Sequence, residues 1–444
     1  MHQTTTFPRA IVEHADMGIT MLDGCRLSAR VWMPEDAAEH PVPVILEHLP
    51  YRKRDGTIVR DQFTHPWFAG HGYACIRTDM RGSGESEGLM KDEYTRQELD
   101  DACAVIAWAA AQPWCNGSVG MMGISWGGFN GVQVAALNPP ALKAVITICS
   151  TADRYADDIH HKGGCLLNTN FGWSANMLSY SSRPPDPALV GDNAWKDIWL
   201  NRLEHQPWHL ADWLAHPNRD DYWKHGSVCE DYSAITAAVL SIGGWHDGYR
   251  NTISHLVENL DAARNGKVKG IVGPWNHKYP HYAGPKPAIG FLQEAKRWWD
   301  KWLKGEETRV EDDPDYRAYL MDSLKPARWW DERPGRWIAE DVWPAERIER
   351  QVFYLGGEGA LVGAAAEISA EICSPADCGT DAGVYFPFAF GDELPDEQSD
   401  DDAKSLCFDG AELAEAIDIV GAPEITLRLS ADKSKAQIAA ETGT

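Results

Sequence analysis

Residues 123–127 read Gly-Ile-Ser-Trp-Gly and fit the pattern G-x-S-x-G. They follow an apolar run over 118–123 that is typical of a buried strand, and a helical pattern follows over 129–137. A serine on a strained turn between a strand and a helix holds its Oγ above the edge of a sheet, where it can attack a carbonyl carbon. This context predicts Ser125 as a nucleophile. A glycine-rich turn in a noncatalytic α/β protein is the alternative interpretation of the same five residues.

A serine hydroxyl is a poor nucleophile at neutral pH unless a histidine removes its proton and an acid orients that histidine. Asp247 comes shortly after a strand pattern at 237–242, and His277 comes shortly after another at 268–272. Open α/β sheets build their sites just beyond the carboxyl ends of such strands. The order Ser, Asp, His along the chain therefore predicts that Asp247 and His277 complete a triad with Ser125. The ordinary alternatives are a turn aspartate that bonds its own loop and one surface histidine among sixteen.

Attack of Ser125 on a carbonyl creates an oxyanion, which needs hydrogen-bond donors. The backbone N–H of Trp126, the residue after the nucleophile, is one expected donor. The second should come from the loop after the third strand, which reads His-Leu-Pro-Tyr over 48–51 and has no glycine-rich stretch. The phenolic hydroxyl of Tyr51 is the candidate there. On chemistry alone, ordinary packing explains a tyrosine beside a proline equally well.

A sheet must position these residues, and the patterns along the chain predict such a sheet. Short apolar runs alternate with helical patterns through residues 1–150 and again through 236–312, which predicts a parallel sheet with right-handed crossovers. The segment between them, 151–235, is rich in Trp, His, Asp and Pro and is predicted to be an inserted helical lid without strands. Residues 313–444 are predicted to form an all-β domain, a sandwich. Its clearest strand patterns lie at 317–321, 349–355 and 424–429.

The composition excludes several classes of partner. The 444 residues carry a net charge of −25 and no cluster of Lys and Arg, so a nucleic acid would be repelled. No stretch of about 18 apolar residues occurs, so no membrane partner is expected, and the first residues lack the pattern of a secretory signal. The ten cysteines are scattered without a CxxC motif, which favours free thiols in a cytoplasmic protein.

No cofactor and no metal are expected. No GxGxxG follows a strand, and no Walker pattern is present. The lid carries Asp157 and Asp158 close to His160 and His161. Neighbouring side chains rarely bind one ion together, however, and no further ligand is evident.

Several stretches together carry a resemblance to a known family. Residues 50–55 read Pro-Tyr-Arg-Lys-Arg-Asp, and residues 79–88 read Asp-Met-Arg-Gly-Ser-Gly-Glu-Ser-Glu-Gly. With the serine turn at 123–127 and the segments 244–248 and 273–277, they resemble the cocaine esterase / X-prolyl dipeptidyl peptidase family of α/β-hydrolases, also called CocE/NonD hydrolases. The resemblance covers most of the chain.

The resemblance implies an α/β-hydrolase sheet domain with an inserted helical lid and a C-terminal jelly roll. It also implies that Tyr51 is the side-chain donor to the oxyanion. The family's jelly roll normally continues beyond the equivalent of Leu429, so the C-terminal domain is expected to be incomplete, whether by a natural end or by truncation.

The residues and the resemblance together predict a serine hydrolase that cleaves an ester, or an amide, of a small-molecule substrate through an acyl-enzyme. Within the family, an X-Pro exopeptidase and a β-lactam or α-amino acid ester acylase remain alternatives. From another class, the alternative is a noncatalytic ligand- or carbohydrate-binding protein on a hydrolase scaffold. Trp126, Trp173 and Trp245 are expected to wall an acyl pocket, and core packing is their ordinary alternative. The physiological substrate and the oligomeric state, a homo-oligomer included, stay open.

Family members that accept α-amino acyl groups resemble one another in a carboxylate cluster that binds the substrate ammonium. In this chain Asp157 or Asp158 would supply the lid part of that cluster. The other two positions, which follow the triad aspartate, hold Tyr249 and Arg250. Because one carboxylate beside a guanidinium attracts an ammonium group weakly, we expect poor activity on α-amino esters. Alternatively, Arg250 pairs with a surface acid and points away.

Overall fold

The architecture is described by a computed structural model that covers residues 6–191, 193–260, 266–365 and 367–440, so that each predicted domain includes at least one residue outside these ranges. The strands, numbered along the chain, are β1 (Ile11–Thr20), β2 (Arg26–Pro34), β3 (Val42–Leu49), β4 (Ala74–Asp79), β5 (Cys115–Ile124), β6 (Leu142–Ile148), β7 (His161–Lys162), β8 (Cys165–Leu166), β9 (Ala238–Gly244), β10 (Val268–Gly273), β11 (Tyr316–Met321), β12 (Gly335–Glu340), β13 (Tyr354–Leu355) and β14 (Leu361–Val362). The α-helices are α1 (Ile58–Gln62), α2 (His65–Gly70), α3 (Arg96–Ala110), α4 (Trp126–Ala136), α5 (Thr169–Ser181), α6 (Pro187–Val190), α7 (Ala194–His205), α8 (His209–Ala215), α9 (Asp221–Lys224), α10 (Asn251–Asn259), α11 (Phe291–Lys304) and α12 (Ser399–Asp402).

Ten strands form one sheet in the order β1-β2-β4-β3-β5-β6-β9-β10-β11-β12. Every neighbouring pair from β4 to β11 is parallel, and the pairs β1-β2, β2-β4 and β11-β12 are antiparallel. The parallel part therefore brings the carboxyl ends of β3, β5, β9 and β10 to a single edge. No helix in the described ranges is both long and apolar enough to cross a bilayer.

Alternating side chains of the central strands fill two cores, one on each face of the sheet. In β3, Val44 and Leu46 belong to one core while Ile45 and Leu49 belong to the other. The first core packs against α3, α4 and α10, and the second packs against α2 and α11. Because both faces are covered, the central strands are buried throughout, as expected for a parallel sheet.

The lid lies between β6 and β9 and consists mainly of the helices α5 to α9. It also contains the two-residue strands β7 and β8, which pair as a short antiparallel hairpin that the sequence did not predict. The buried guanidinium of Arg202 ties the lid to the sheet domain, because it donates to the carbonyl oxygens of Gly84 at 2.9 Å and Ser86 at 2.7 Å.

The C-terminal region differs from the predicted sandwich. The strand pattern at 317–321 forms β11, which pairs with β10 and β12 and thereby extends the main sheet. Only two residues of the pattern at 349–355 form a strand, and residues 424–429 form none. Apolar residues of this last pattern, such as Ile425 and Leu429, remain exposed. An apolar pattern makes a strand only where a second strand and a covering layer are present, so the jelly-roll prediction is not confirmed and the domain boundaries remain predictions.

Candidate active site

Ser125 lies between β5 and α4, on the turn that the sequence predicts. Its backbone has φ of +57° and ψ of −128°, and a positive φ is a strained conformation for a residue with a side chain. The turn is tight, because a Cβ on Gly123 would lie 2.5 Å from the carbonyl carbon of Gly127. The first turn of α4 follows directly, so its free backbone N–H groups lie beside the partly buried serine.

Asp247 and His277 lie at the same sheet edge, in the loops after β9 and β10. His277 Nδ1 lies 3.1 Å from Asp247 Oδ1, and both side chains are buried. Burial works to raise the pKa of Asp247, but the charge of His277 and hydrogen bonds with His277 and Cys149 outweigh burial and lower that pKa. The ionised Asp247 therefore fixes the ring with Nδ1 as the donor, which leaves Nε2 to accept a proton.

Tyr51, in the loop after β3, brings its phenol to the hydroxyl of Ser125. Burial raises the pKa of Tyr51 far above its ordinary value, and the negative charge of Glu93 adds to this effect, whereas the hydrogen bond with Ser125 opposes it. A phenol that keeps its proton is a hydrogen-bond donor. Since Trp126 follows Ser125 in the chain, both predicted oxyanion donors lie next to the predicted nucleophile.

Aromatic rings surround Tyr51. Its ring centroid lies 6.3 Å from that of Trp126 and 6.2 Å from that of Trp173, both in edge-on arrangements. A third ring, that of Tyr180, lies 5.5 Å away. Trp173 and Tyr180 both belong to α5, so the lid supplies one wall of this aromatic cluster.

Trp245, which was expected in the same wall, lies elsewhere. Its indole N–H donates to the carbonyl oxygen of Tyr319 in β11 at 2.7 Å, and its ring packs against the core that includes α3 and α10. Trp126 belongs to the other core. Successive side chains near the end of a strand point to opposite faces of a sheet, and the sequence alone did not show which face Trp245 takes.

Asp158 and Tyr249 lie behind the predicted base. The ring of Tyr249 is 5.8 Å from that of His277, and its hydroxyl lies 3.4 Å from Asp158 Oδ1. Burial raises the pKa of Asp158 to about 6. Since part of this carboxyl population is protonated near neutral pH, Asp158 is a weaker anion than an exposed aspartate.

Asp157 lies against the side-chain amine of Lys162. It forms an ion pair with Lys162, and Asn251 Nδ2 lies 3.5 Å from Asp157 Oδ1. Arg250 lies close by and donates from Nη1 to the carbonyl oxygen of Asp247 at 3.2 Å. Burial and the charge of Arg250 lower the pKa of Lys162 to about 7. Within the described ranges Arg250 makes no ion pair, so the alternative of a surface acid as its partner is not observed.

Glu93 is a buried residue at the site that sequence reasoning missed. It accepts hydrogen bonds from His160 Nε2 at 2.6 Å and from the indole of Trp173. It thereby connects the sheet domain to two lid residues, one of which touches Tyr51. Glu93 belongs to no motif, and only the fold brings it to His160.

A segment of the C-terminal region also reaches the site. The rings of Phe386 and Phe388 lie 4.4 Å and 5.9 Å from the ring of His277. The backbone N–H of His277 donates to the carbonyl oxygen of Pro387 at 3.3 Å. A run of aromatic residues over 385–390 is the one signal in the sequence, and it does not reveal what those rings contact.

Glu98, in α3, lies beneath the serine turn. Its Oε1 accepts a hydrogen bond from the indole of Trp126 at 2.6 Å. Burial raises the pKa of Glu98 to about 8, against the hydrogen bond from Trp126. At neutral pH the Glu98 side chain is therefore mostly protonated and uncharged. It holds the indole ring of Trp126, whose backbone N–H is a predicted oxyanion donor.

The sequence matches the X-Pro dipeptidyl-peptidase (S15) family over residues 23–279 and the X-Pro dipeptidyl-peptidase C-terminal non-catalytic domain over residues 308–441. It is 28% identical to the cocaine esterase of Rhodococcus sp. (strain MB1 Bresler), with 93% of this chain and 76% of that protein aligned. A putative serine esterase of Mycobacterium bovis is 23% identical over 81% of this chain and 65% of its own length. The structure of a CocE/NonD family hydrolase from Staphylococcus aureus has a TM-score of 0.64 at 22% identity, over 80% of this chain and 60% of that one. This likeness confirms the predicted α/β-hydrolase fold, and the chain spans only part of each relative.

Proposed function

The chain belongs to the S15 family of X-Pro dipeptidyl-peptidases, and on this premise we propose that it is a serine hydrolase that cleaves an ester of a small-molecule acid through an acyl-enzyme. One observation carries the proposal: a buried Asp247 pairs with His277 Nδ1 at the sheet edge where Ser125 stands on a strained turn. An ionised acid, a histidine with Nε2 available and a serine on such a turn are the groups that nucleophilic acyl transfer requires.

In the proposed reaction, His277 Nε2 takes the proton of Ser125 while Oγ attacks the carbonyl carbon. The hydroxyl of Tyr51 and the N–H of Trp126 donate to the oxyanion. His277 then protonates the leaving alcohol as its bond to the carbonyl carbon breaks. Water, deprotonated by His277, next attacks the acyl-enzyme, releases the acid and restores Ser125. Asp247 stabilises the imidazolium in both halves of the reaction.

The charges near the site favour an acyl group without an α-ammonium. Asp157 is paired with Lys162, and Asp158 is partly protonated near neutral pH because burial raises its pKa to about 6. The guanidinium of Arg250 lies beside the triad acid. A substrate ammonium would therefore meet little net attraction. An X-Pro exopeptidase or an α-amino acid ester acylase is the second candidate, supported by the family description, and both would need that attraction.

The test is covalent labelling of the purified protein with a fluorophosphonate, with Ser125→Ala as the control, followed by turnover of p-nitrophenyl esters, aminoacyl-nitroanilides and β-lactams. We expect the label on the wild type alone and turnover of the esters above the other substrates. Folded wild-type protein that takes no label would overturn the proposal and favour a noncatalytic ligand-binding protein.

We also propose a cytoplasmic location, which the ten free cysteines support. The proposed partner is a small ester or amide, with neither a nucleic acid nor a membrane involved, in keeping with a net charge of −25. Light scattering of the purified protein would measure its oligomeric state.

A further inference from the structure

The stretch 79–88, which carries part of the family resemblance, has no role in the reaction described above. Its first residue, Asp79, ends β4 and is fully buried. One carboxylate oxygen of Asp79 accepts the backbone N–H of Lys53 at 2.7 Å, and the other accepts the ammonium of Lys53 at 2.9 Å. Lys53 is itself fully buried and stands two residues after Tyr51.

The rest of the stretch closes around this pair. The backbone N–H of Glu85 donates to Asp79 Oδ2 at 3.1 Å, and the Glu85 carboxylate pairs with the ammonium of Lys53. Gly84 has φ of +50°, and a Cβ there would lie 2.0 Å from Asp79 Oδ2. Only glycine allows so close an approach, so the loop is shaped to enclose the Asp79 carboxylate.

The same loop holds the chain on the other side of Tyr51. The hydroxyl of Ser83 donates to the carbonyl oxygen of Pro50, the residue before Tyr51. Arg52, the residue after Tyr51, has a left-handed φ of +60°. The backbone around Tyr51 is thus held on both sides and carries a strained residue, which persists only where its surroundings determine it.

Stability alone does not account for these charges. Burial works to raise the pKa of Asp79, but the charge and hydrogen bonds of Lys53 lower it to about 2, so the pair is ionised. A buried ion pair often contributes no more to folding than apolar side chains of the same volume, because both ions lose their hydration. What this pair provides is a fixed geometry for the loop that carries Tyr51.

We propose that Lys53 and Asp79 are positioning residues that hold the Tyr51 hydroxyl at the point where the oxyanion forms. The inference rests on the proposed function, since it takes Tyr51 as an oxyanion donor. Neither residue touches the substrate. Their effect passes through Tyr51, so it cannot exceed the effect of removing the Tyr51 hydroxyl.

The test is a double-mutant cycle on the full chain, with Lys53→Met, Tyr51→Phe and the combination of both. Lys53→Met should lower kcat for a p-nitrophenyl ester by about 10- to 100-fold, which does not exceed the ~10²–10³ expected for the loss of one oxyanion donor, and should change KM by less than about threefold. On the Tyr51→Phe background the same substitution should lower kcat no further. Reductions that multiply would overturn the inference, because Lys53 would then act independently of Tyr51.

Two further variants separate positioning from folding. Lys269→Met removes another ion pair, between the buried Lys269 near the start of β10 and the partly buried Asp315 at 2.9 Å. This variant should lower the Tm with kcat unchanged. Asp79→Asn keeps an oxygen for the backbone N–H of Lys53, and it replaces Lys53→Met in the cycle if that variant does not fold. Each kcat is calculated from the concentration of active enzyme, which is measured by titrating Ser125 with a fluorophosphonate.

The outcomes also distinguish this inference from the proposed function. A Tyr51→Phe variant with full kcat overturns the positioning role, while labelling of Ser125 leaves the hydrolase proposal intact. Folded wild-type protein that takes no label would overturn both the positioning role and the hydrolase proposal.

Discussion

His160 and Glu93 form a buried ion pair that joins the lid to the sheet domain, with His160 Nε2 located 2.6 Å from Glu93 Oε2. The other ring nitrogen, Nδ1, lies 2.7 Å from Asn170 Oδ1. The amide N–H₂ of Asn170 donates to the carbonyl oxygen of His160, so Oδ1 is free to act as the acceptor. A histidine ring that donates from both nitrogens carries a positive charge.

This pair predicts a lid that is held less firmly as pH rises. Burial works to lower the pKa of His160, but the charge of Glu93 and the hydrogen bonds with Glu93 and Asn170 raise it above 6.5. The stabilisation is therefore complete below pH 6.5 and is lost as pH rises through the folded-state pKa. His160→Gln should lower the free energy of unfolding by about 2–3 kcal/mol at pH 6, and by less at pH 9, as measured by urea denaturation.

His216→Gln is the matched control for that prediction. The pair of His216 with Asp220 is about one-third to one-half exposed, so its loss should change the free energy of unfolding by less than about 0.5 kcal/mol at either pH. A deficit of His160→Gln that is equal at pH 6 and pH 9 would contradict the charged pair.

The triad prediction concerns kcat. Ser125→Ala and His277→Ala should each lower kcat for an ester by about 10⁴-fold or more, and the combined variant should be no slower than either alone, because the groups act as a unit. The control is His255→Ala, at an exposed position of α10, which should keep full activity. Steady-state turnover supplies all four values, and a His277→Ala enzyme within tenfold of the wild type would show that the base lies elsewhere.

The buried Glu98 predicts that the stability of the sheet domain also depends on pH. Its folded-state pKa of about 8 lies above the ordinary value of 4.5 because the side chain is buried. The protonated acid thus favours folding fully below pH 4.5, and this advantage is lost as pH rises through about 8. Relative to Glu98→Gln, the wild type should lose roughly 2–4 kcal/mol of unfolding free energy between pH 5 and pH 8.5, because each tenfold change in proton affinity corresponds to ~1.4 kcal/mol.

Urea denaturation of both proteins at pH 5, 7 and 8.5 measures this difference. The glutamine keeps an oxygen for the indole of Trp126, so the comparison isolates the ionisation. Stability curves that run parallel over the whole range would mean that Glu98 is ionised in the folded protein.

The pocket prediction concerns the acyl group. Because Arg250 lies at the triad acid and makes no ion pair in the described part of the chain, kcat/KM for an α-aminoacyl ester should fall below that of its des-amino analogue. Arg250→Glu should move this ratio toward the amino substrate by about 1–2 kcal/mol, and Arg250→Gln by a smaller amount. A wild-type preference for the amino ester would remove the basis of the prediction.

The predicted catalytic motifs can be recognised in the sequence because each one is local. The serine turn at 123–127 follows its own strand, and Asp247 and His277 do the same, so a strand pattern and a few residues indicate where each belongs. Chemistry alone does not assign a role to the Tyr51 hydroxyl, since a tyrosine beside a proline has many uses. The family resemblance implies the role of oxyanion donor, which remains a prediction.

Contacts between distant parts of the chain were not accessible. Glu93 and His160 are 67 residues apart, and no pattern at either position indicates the other. The strand pattern at 424–429 shows the opposite failure, because its alternation is clear and yet no strand forms. Pairing partners decide whether an apolar pattern becomes a strand, and they are properties of the whole fold.

The contact between the C-terminal region and the predicted base has a consequence for the order in which the protein is made. Asn276 Nδ2 donates to the carbonyl oxygen of Ala389 at 2.9 Å, and the two residues are 113 positions apart. A nascent chain that has left the ribosome as far as the loop after β10 already contains Ser125, Asp247 and His277, but not the residues around Pro387 that contact His277. Translation at about 5–20 residues per second separates these events by several seconds, so hydrolytic competence arrives late in synthesis, with the segment around Pro387.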